Sequence, residues 1–489
     1  MSVAITPIIT IDRKSRRPLH RQIYDSYRAA IVNGTLRPGQ RVPSTRGLAT
    51  ELGVSRIPVL GAYAQLMAEG YFQSRTGAGT AVSSLLPDQR VSPEPLRDRS
   101  AKVRRAHLPI VNERPSIPVS IETLPGNRGW GAFGVGQVAL EQFPFRVWNS
   151  LVTRHCRRIT SKSLDYGHPM GLKDLREALA VYLRTARGVS CEAAQIMIVS
   201  GSQQALDISA RVLLKPGSKV WMEEPGYRYA RRVFALNRCR VVPVPVDNEG
   251  LSVAGGIKKC RNARAALVTP SHQYPLGVTM TASRRLQLLD WAARSQSWVL
   301  EDDYDSDHRY EGMPISSLQG LDPNSRVVYI GTFSKVLFPS LRLGYLVIPN
   351  NLVERFVNVR LAMDIGPPTF NQEVLADFIQ EGHFSRHIRR MRMLYRDRRN
   401  ALVSSIEQEL GLSVEITGEQ AGMHLCVVLK GISDREVVAR AARANLCLVP
   451  LSNSYMGKTS RQGFILGFGS TPASEMATAV RKFRAVLAG

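Results

Sequence analysis

Fourteen residues near the middle of the chain, from Gly331 to Gly344, include side chains that could bind a phosphate and react with an aldehyde. A hydrophobic run at 327–330 precedes them and predicts a buried strand. Ser334 stands directly before Lys335, and Arg342 follows seven residues later. Arginine binds phosphate oxygens in a bidentate fork, and a partly desolvated lysine can react as a free amine. The alternative is a surface lysine that merely follows a strand.

Three adjacent acids, Glu301, Asp302 and Asp303, end another hydrophobic run. Because neighbouring carboxylates repel one another, a cationic partner is expected beside them. A protonated pyridine nitrogen is such a partner, so the acids and Lys335 together predict pyridoxal 5'-phosphate (PLP) held as a Schiff base. A metal ion is the alternative, but the spacing fits no familiar ligand set and His308 is the only imidazole nearby in the sequence, so we predict no metal.

The elements that must position these residues are strands alternating with helical patterns. Alternation of this kind predicts a mainly parallel α/β sheet, whose ligands bind at the carboxyl ends of the strands. Ser202 and Gln203 follow the first run and open a helix, where free N–H groups attract an anion. Tyr227 follows the second run and could lie over a flat ring. The predicted strands are residues 195–200, 219–224, 240–246, 265–270, 298–303, 327–330 and 344–349, with 425–429, 446–451 and 464–468 in a smaller C-terminal part.

The first 83 residues predict three helices and a two-stranded wing, which is the helix-turn-helix plan. Ser55 is expected to cap the third helix, which would bury Val59, Tyr63 and Leu66. Basic side chains fall where this plan meets DNA, namely at Arg46, Arg56 and Arg75. We therefore predict that these arginines contact double-stranded DNA. The alternative is that they are three unrelated arginines on a solvated surface.

Composition supports this interpretation. The formal net charge of +25 favours a polyanionic partner. The six cysteines are scattered, the N-terminus does not resemble a signal peptide, and no apolar run approaches a membrane span, which predicts a cytoplasmic protein. Residues 84–120 are rich in proline and charge and predict a linker; a solvated tether is favoured over a second DNA-binding patch.

The N-terminal segment closely resembles a GntR-type winged helix-turn-helix. The resemblance rests on residues 37–49 (RPGQRVPSTRGLA), 52–56 (LGVSR), 69–71 (EGY) and the wing at 77–80 (GAGT). It implies DNA contacts from Arg46, Ser55, Arg56 and Gly77. One departure is Ile57-Pro58, where relatives often carry polar residues.

From about residue 125 onward the chain resembles fold-type I PLP enzymes, the aspartate aminotransferase family. The matching pieces are residues 143–144 (FP), Trp148, 166–171 (YGHPMG), 175–176 (LR), 187–189 (RGV), 301–304 (EDDY), 334–335 (SK), Pro339 and Arg342. A chain that combines a GntR-type head with an aminotransferase-like body resembles the MocR/GabR-type transcription regulators of bacteria. This resemblance implies that Lys335 carries the cofactor and that a phosphate is held by Ser202, Gln203, Ser334 and Arg342.

Further roles follow from the same resemblance. Asp302 pairs with the pyridine nitrogen, and we prefer it to Asp303 because it shares a strand face with Tyr304, which bonds the ring hydroxyl. Tyr227 stacks on the ring. Tyr166 reaches the phosphate of a partner subunit, and Arg461 is the candidate for binding an effector carboxylate.

The predicted protein is multidomain. It has an α/β winged helix-turn-helix at 1–83, a linker at 84–120 and an α/β aminotransferase-like domain at 121–489, whose larger part (121–349) is followed by a smaller α+β subdomain (350–489). The predicted function is a PLP-dependent regulator that senses PLP or an amino-compound aldimine at Lys335. It would act as a domain-swapped homodimer on an operator with paired half-sites, with no turnover in its main role. The alternatives are an active aminotransferase that also carries a DNA-binding domain, and a body that only dimerises.

Overall fold

The structure is a computed structural model of the 489-residue chain. It describes residues 17–75, 79–84, 131–310, 316–411 and 414–488, together with positions 7, 9, 11–13 and 15. The chain divides into two compact units, Met1–Asn112 and Glu113–Gly489, called here the head and the body. The predicted linker at 84–120 lies outside the described residues except for Ser84.

The head contains the three helices and the hairpin that the sequence predicts. They are α1 (Leu19–Val32), α2 (Thr45–Glu51), α3 (Arg56–Ala68), β1 (Phe72–Arg75) and β2 (Gly79–Val82). Ser44 caps α2 by accepting a hydrogen bond from Gly47 N–H at 3.1 Å. Gly53, with φ of +60°, makes the turn between α2 and α3.

Aromatic rings fill the core of the head. Tyr27, Tyr63 and Phe72 pack edge to face, with ring centroids 5.1–5.7 Å apart. The Tyr63 hydroxyl donates to the Pro43 carbonyl at 2.9 Å and so satisfies a polar group inside this core. Val59, Tyr63 and Leu66 of α3 are buried as predicted.

The body is built on a large mixed sheet and a smaller antiparallel one. Its strands are β3 (Ile196–Val199), β4 (Lys219–Glu224), β5 (Arg240–Asp247), β6 (Gly250–Leu251), β7 (Ala265–Val268), β8 (Trp298–Asp303), β9 (Val327–Thr332), β10 (Gly344–Val347), β11 (Glu415–Thr417), β12 (His424–Leu429), β13 (Val449–Pro450) and β14 (Gln462–Gly467). Each predicted run therefore contains a strand, while the short β6 and β11 were not predicted.

The large sheet has the order β3-β10-β9-β8-β7-β4-β5-β6. The neighbours from β9 through β8, β7 and β4 to β5 are parallel, whereas β10 is antiparallel to both β3 and β9, and β6 is antiparallel to β5. The central parallel strands β7, β8 and β9 are buried on both faces, as their apolar runs predict, whereas β5 is largely half-buried or exposed. This confirms a mainly parallel central sheet.

Helices cover the sheet and support the smaller domain. They are α4 (Phe145–Cys156), α5 (Lys173–Arg187), α6 (Ser202–Leu213), α7 (Arg228–Leu236), α8 (Val253–Lys259), α9 (Ala282–Arg294), α10 (Leu318–Leu321), α11 (Val353–Asp364), α12 (Phe370–Gln380), α13 (His383–Leu410), α14 (Asp434–Arg443) and α15 (Ala473–Ala488). Within the described part of the chain, none of the helices combines the length and the apolarity that a membrane crossing requires.

The smaller sheet has the order β11-β12-β14-β13 and is antiparallel throughout. Helices α13 and α15 pack together beside it. Phe133 and Val138, from the first described stretch of the body, belong to the same buried cluster. The start of the body is therefore built into its C-terminal part, a connection that the sequence did not predict.

Candidate functional site

Lys335 lies just after β9, where the chain leaves the carboxyl end of a central strand. Its Nζ donates to the Gly136 carbonyl at 3.0 Å. Burial lowers the pKa of Lys335, while the charges of Asp305 and Asp302 oppose that change. A lowered pKa increases the share of free amine, which is the form that attacks an aldehyde.

Asp302 and Asp303 end the neighbouring strand β8 and point to opposite faces. The negative charge of Asp303 is balanced by an ion pair, because Arg187 Nη2 binds its Oδ2 at 2.7 Å and the Tyr329 hydroxyl donates to the same atom at 2.5 Å. Its Oδ1 has no hydrogen-bond partner among the described residues. Burial alone would lower the pKa of Arg187, but Asp303, Tyr329 and Asp307 together outweigh it, and the pKa rises well above its ordinary value.

Asp302 has no such cation among the described residues. It is buried, and its Oδ1 has no hydrogen-bond partner within that part of the chain. Burial, followed by the charges of Asp303, Glu223 and Asp305, raises its pKa to about 7, and the charge of Lys335 partly offsets this. An unpaired carboxyl beside a lysine is the arrangement that a protonated ring nitrogen would complete.

Tyr304 continues the chain after these acids. Its hydroxyl donates to the His272 carbonyl at 3.0 Å, and His272 Nδ1 lies 3.0 Å from Asp305 Oδ2. The ring of His424, from β12, lies 4.7 Å from that of His272. Burial, with a contribution from His272, lowers the pKa of His424 to about 3, so this imidazole is neutral.

The sequence assigned neither of these imidazoles to the acid cluster. His272 and His424 lie far from the acids along the chain, and only the packing of β12 against the loop after β7 brings them together. Their ligating atoms and that of Asp305 lie within 4.8 Å of one another. His308 is the imidazole nearest to the acids in the sequence, but its Nε2 lies 3.4 Å from the Lys335 carbonyl instead.

Three of the four predicted phosphate-binding residues, Ser202, Gln203 and Arg342, lie at the start of α6. Gly201 precedes this helix with φ of +127°, and a Cβ built on it would lie 3.4 Å from Arg342 Nη2. The Arg342 guanidinium therefore lies against the start of this helix, whose free N–H groups attract an anion. Gln203 Nε2 donates to the Tyr227 hydroxyl at 3.3 Å, which links the predicted phosphate site to the ring that is predicted to stack on the cofactor.

Tyr227 opens α7 and packs edge to face on Tyr274, with centroids 5.7 Å apart. Burial, followed by the charge of Asp302, raises the pKa of its hydroxyl. The ring is therefore close to the carboxyl that is expected to hold the cofactor nitrogen. Ser334 precedes the lysine, and its N–H donates to Thr332 Oγ1 at 3.2 Å.

Two predicted site residues, Tyr166 and Arg461, make no contact with the residues around Lys335 in the described part of the chain. Tyr166 is 82% exposed. Arg461 precedes β14 and pairs with Glu415 at 3.5 Å. In the β12–β14 register, His424 pairs with Gly467 at one end and the strand begins with Gln462 at the other. Arg461 thus lies six residues, roughly 20 Å, along the strand from the His424 end.

In the head, Arg46, Ser55 and Arg56 are exposed. Arg56 Nε donates to Thr45 Oγ1 at 3.2 Å, which links the first turn of α3 to that of α2. Ser55 precedes α3 as expected, but its side chain accepts no hydrogen bond from the helix, so the predicted capping bond is not formed. Gly77 and the Arg75 side chain lie outside the described residues.

Comparison with known proteins gives two family matches. Residues 19–82 match the family described as bacterial regulatory proteins of the gntR family, and residues 132–461 match aminotransferase class I and II. The chain is 38% identical to the "Probable rhizopine catabolism regulatory protein MocR" of Rhizobium meliloti, covering 98% of this chain and 95% of that protein. It is 32% identical to the pyridoxine biosynthesis transcriptional regulator PdxR of Corynebacterium glutamicum, covering 92% and 91%.

Among solved structures, the body resembles LysN, the α-aminoadipate aminotransferase of Thermus thermophilus, complexed with N-(5'-phosphopyridoxyl)-L-leucine. The TM-score is 0.68 at 28% identity, and the match covers 73% of this chain and 92% of that one. The body therefore has the aminotransferase fold, which implies pyridoxal phosphate binding. The relatives named as regulators match nearly the whole chain, including the head.

Proposed function

Because this chain belongs to the MocR/GabR-type transcription regulators, we propose that Lys335 binds PLP and that occupancy of this site changes how the head binds its operator. The chain is a DNA-binding regulator by family, and the finer roles given below are proposals. One observation carries them: the buried Asp302 carboxyl near Lys335, which, unlike Asp303, pairs with no arginine in the described part of the chain.

The residues present fit the cofactor. When bound, PLP would supply an aldehyde that reacts reversibly with amines and a ring that withdraws electrons. Arg342, Ser202 and the free N–H groups of α6 would hold the phosphate, with Gln203 and Ser334 beside them. Asp302 would hold the ring nitrogen.

The same residues restrict how the ring can lie. Tyr304 would turn its hydroxyl from the His272 carbonyl to the ring hydroxyl, and Tyr227 would cover one face. Since Asp303 is committed to Arg187, Asp302 is the carboxyl that remains for the ring nitrogen.

The effector class follows from the chemistry of the site. An aldehyde at Lys335 can be displaced from the lysine by another primary amine, so the effector is either PLP itself or a small amino compound that reacts with it. The relatives support this range, since one is named for pyridoxine biosynthesis and another for rhizopine catabolism.

We propose that the protein acts as a homodimer in which heads and bodies are exchanged and the two heads contact paired half-sites. Tyr166 supports a dimer, because it is 82% exposed although a role at the phosphate is predicted for it. Leu164 and Ile159 nearby are 76% and 48% exposed, which gives the same surface apolar character.

An aminotransferase activity is the second candidate. Lys335, with its lowered pKa, could carry a proton as well as bind the cofactor. The position of Arg461, paired with Glu415 away from the His424 end of β14, speaks against a carboxylate clamp there. Incubation with an amino acid and a 2-oxo acid would distinguish the two, since a regulator without turnover forms no new amino acid.

The first test is an absorption spectrum of the purified protein. Covalent PLP is expected to give a band at about 420 nm that borohydride removes while fixing the added mass to Lys335. Lys335→Ala and Lys335→Arg should both lose the band, and the arginine variant shows that positive charge alone does not replace the amine. Lys173→Ala, at an exposed lysine, is the matched control. A reducible adduct retained in both Lys335 variants would refute the assignment.

The second test follows DNA binding by the same proteins. Titration with PLP and then with amino compounds should change the affinity of the wild-type protein for DNA from its own promoter region. The Lys335 variants should bind this DNA but not respond. An equal response in Lys335→Arg would show that the site does not control the head.

A further inference from the structure

Two apolar side chains are exposed at the start of α3. Ile57 is 78% exposed and Leu60 is 43% exposed. They stand three residues apart on a helix, so they lie on one face one turn from each other. Single exposed apolar residues are common on proteins, but the position of this pair is informative.

The core of the head does not need these side chains. Helix α3 buries Val59, Ala62, Tyr63 and Leu66, which lie on its other face. Replacing Ile57 or Leu60 by a small polar residue should therefore leave the fold of the head intact. Their apolar character calls for a partner outside the described chain.

The surroundings of the pair favour a polyanion. Arg46 and Arg56 are exposed beside it, and neither α2 nor α3 has an acid in its first turn. The N–H groups at the start of α3 add partial positive charge. An apolar patch with a basic rim matches the major groove of DNA, whose edges are phosphates and whose floor displays one apolar group, the 5-methyl of thymine.

We propose that Ile57 and Leu60 read thymine methyl groups in the operator. This inference rests on the proposed DNA binding by the head, in which the start of α3, the second helix of the helix-turn-helix, enters the major groove. Isoleucine and leucine offer no hydrogen bond, so placing them over the polar edge of another base would strip that edge of water without replacing the lost bonds. Each half-site should therefore contain thymine at the positions facing these residues.

The experiment removes the methyl group and nothing else. The full-length protein is first used to select its preferred duplexes from a random pool. Each thymine of a selected half-site is then replaced in turn by uracil, and affinity is measured. At one or two thymines per half-site, uracil should weaken binding about fourfold, which corresponds to burial of one methyl group at ~0.8 kcal/mol.

Variants assign the effect to its residues. Ile57→Ser should bind the thymine and uracil duplexes equally at one position, and Leu60→Ser should do so at the same or the adjacent position. Ile257→Ser changes an exposed isoleucine of the body and should keep the full discrimination. Replacing the critical thymine by 5-methylcytosine should restore part of the affinity lost with unmethylated cytosine, and only for the wild-type protein.

The outcomes separate this inference from the function it rests on. If the wild-type protein selects no DNA, the DNA contact itself fails and this inference fails with it. If it selects a sequence but no uracil substitution weakens binding, the DNA contact stands and the methyl readout is wrong. The same conclusion follows if uracil weakens binding by Ile57→Ser and by Leu60→Ser as much as it weakens binding by the wild-type protein.

Discussion

Asp302 and Asp303 are neighbours on β8, yet their carboxylates lie in different electrostatic surroundings. Each has one oxygen without a hydrogen-bond partner in the described part of the chain, but Asp303 has an arginine and a tyrosine on its other oxygen, whereas no described arginine pairs with Asp302. Strand alternation was enough to prefer Asp302 from the sequence, because it places that residue on the same side as Tyr304. The partner of Asp303 was not predictable, since Arg187 is distant in sequence and ends another helix.

The charge state of Asp302 gives a pH prediction. Its pKa in the folded, cofactor-free protein is raised to about 7 by burial and nearby acids, so the fold favours the protonated form. That contribution is complete below the ordinary pKa near 4 and is lost as pH rises through 7. Relative to Asp302→Asn, the wild type should lose stability on the order of 4 kcal/mol between pH 4 and pH 8.

Chemical denaturation of the two cofactor-free proteins across this range measures that difference. The lowered pKa values of His308 and His424 affect both proteins alike and cancel in the comparison. A constant difference at all pH values would show that Asp302 is ionised in the fold. The same variant should also bind PLP more weakly, because it lacks the anion that the ring nitrogen needs.

Arg187 tests the neighbouring carboxylate. Arg187→Ala leaves Asp303 buried with one hydrogen-bonding tyrosine and no cation, so it should destabilise the body by about 3 to 5 kcal/mol. Thermal and urea unfolding measure the effect. Arg294→Ala, which breaks an exposed pair with Asp290, should change stability by less than about 1 kcal/mol. The double change Arg187→Met with Asp303→Asn should recover most of the loss, and a failure to do so would mean that Arg187 acts through packing.

At the scale of the elements, the β9–β10 hairpin is central, because Lys335 and Arg342 both lie in the connection between its strands. The hydrophobic runs predicted these strands to within a few residues, since both are buried on two faces and so lack polar interruptions. The runs could not predict β6 and β11, which have two and three residues and carry too little pattern. The antiparallel direction of β10 was equally invisible in the sequence.

The loop between β3 and α6 gives a prediction at this scale. Gly201→Ala should weaken PLP binding by roughly tenfold or more, because the added Cβ competes with the Arg342 guanidinium and the φ of +127° disfavours alanine. Gly217→Ala is the matched control, since Gly217 also has positive φ but nothing lies within 4 Å of its added Cβ. Both should lose about 1 kcal/mol of stability, and equal PLP affinity in the two variants would place the phosphate elsewhere.

At the scale of the whole molecule, the motifs of the head and of the body predicted the architecture, because each carries residue types at fixed spacing along one stretch of chain. They could not predict that His424 joins the acid cluster or that Phe133 enters the C-terminal core. Both contacts join stretches more than a hundred residues apart, and they depend on packing rather than on local pattern.

The charge of the whole chain, +25, predicts that DNA affinity falls steeply with salt. Arg46→Ala should weaken binding to all sequences alike and reduce the slope of log affinity against log salt by about 1, as expected for one phosphate contact. Fluorescence anisotropy at several salt concentrations measures the slope. Arg294→Ala removes the same charge from an exposed helix of the body and should leave the slope unchanged. If the two variants behave alike, Arg46 contributes only to the general field.

The hydrogen bond from Lys335 to the Gly136 carbonyl can distinguish a free lysine from one that carries the cofactor. Gly136 has φ of +76°, and any side chain there would collide with the lysine amine. The same stretch is fastened to the smaller domain, where Cys447 N–H donates to the Ala132 carbonyl at 2.8 Å. A lysine nitrogen joined to an aldehyde carbon would keep at most one N–H, and because the hydroxyl of the cofactor ring would compete for that N–H, Gly136 would lose its donor.

Loss of that donor would cost roughly 1 to 3 kcal/mol unless the stretch moves or admits water. The bond would then be intact when the lysine is free and broken when it is occupied, and it lies in the first described stretch of the body. We expect amide hydrogen exchange at residues 132–139 to become faster when the site is filled. Unchanged exchange there would show that the stretch does not transmit occupancy.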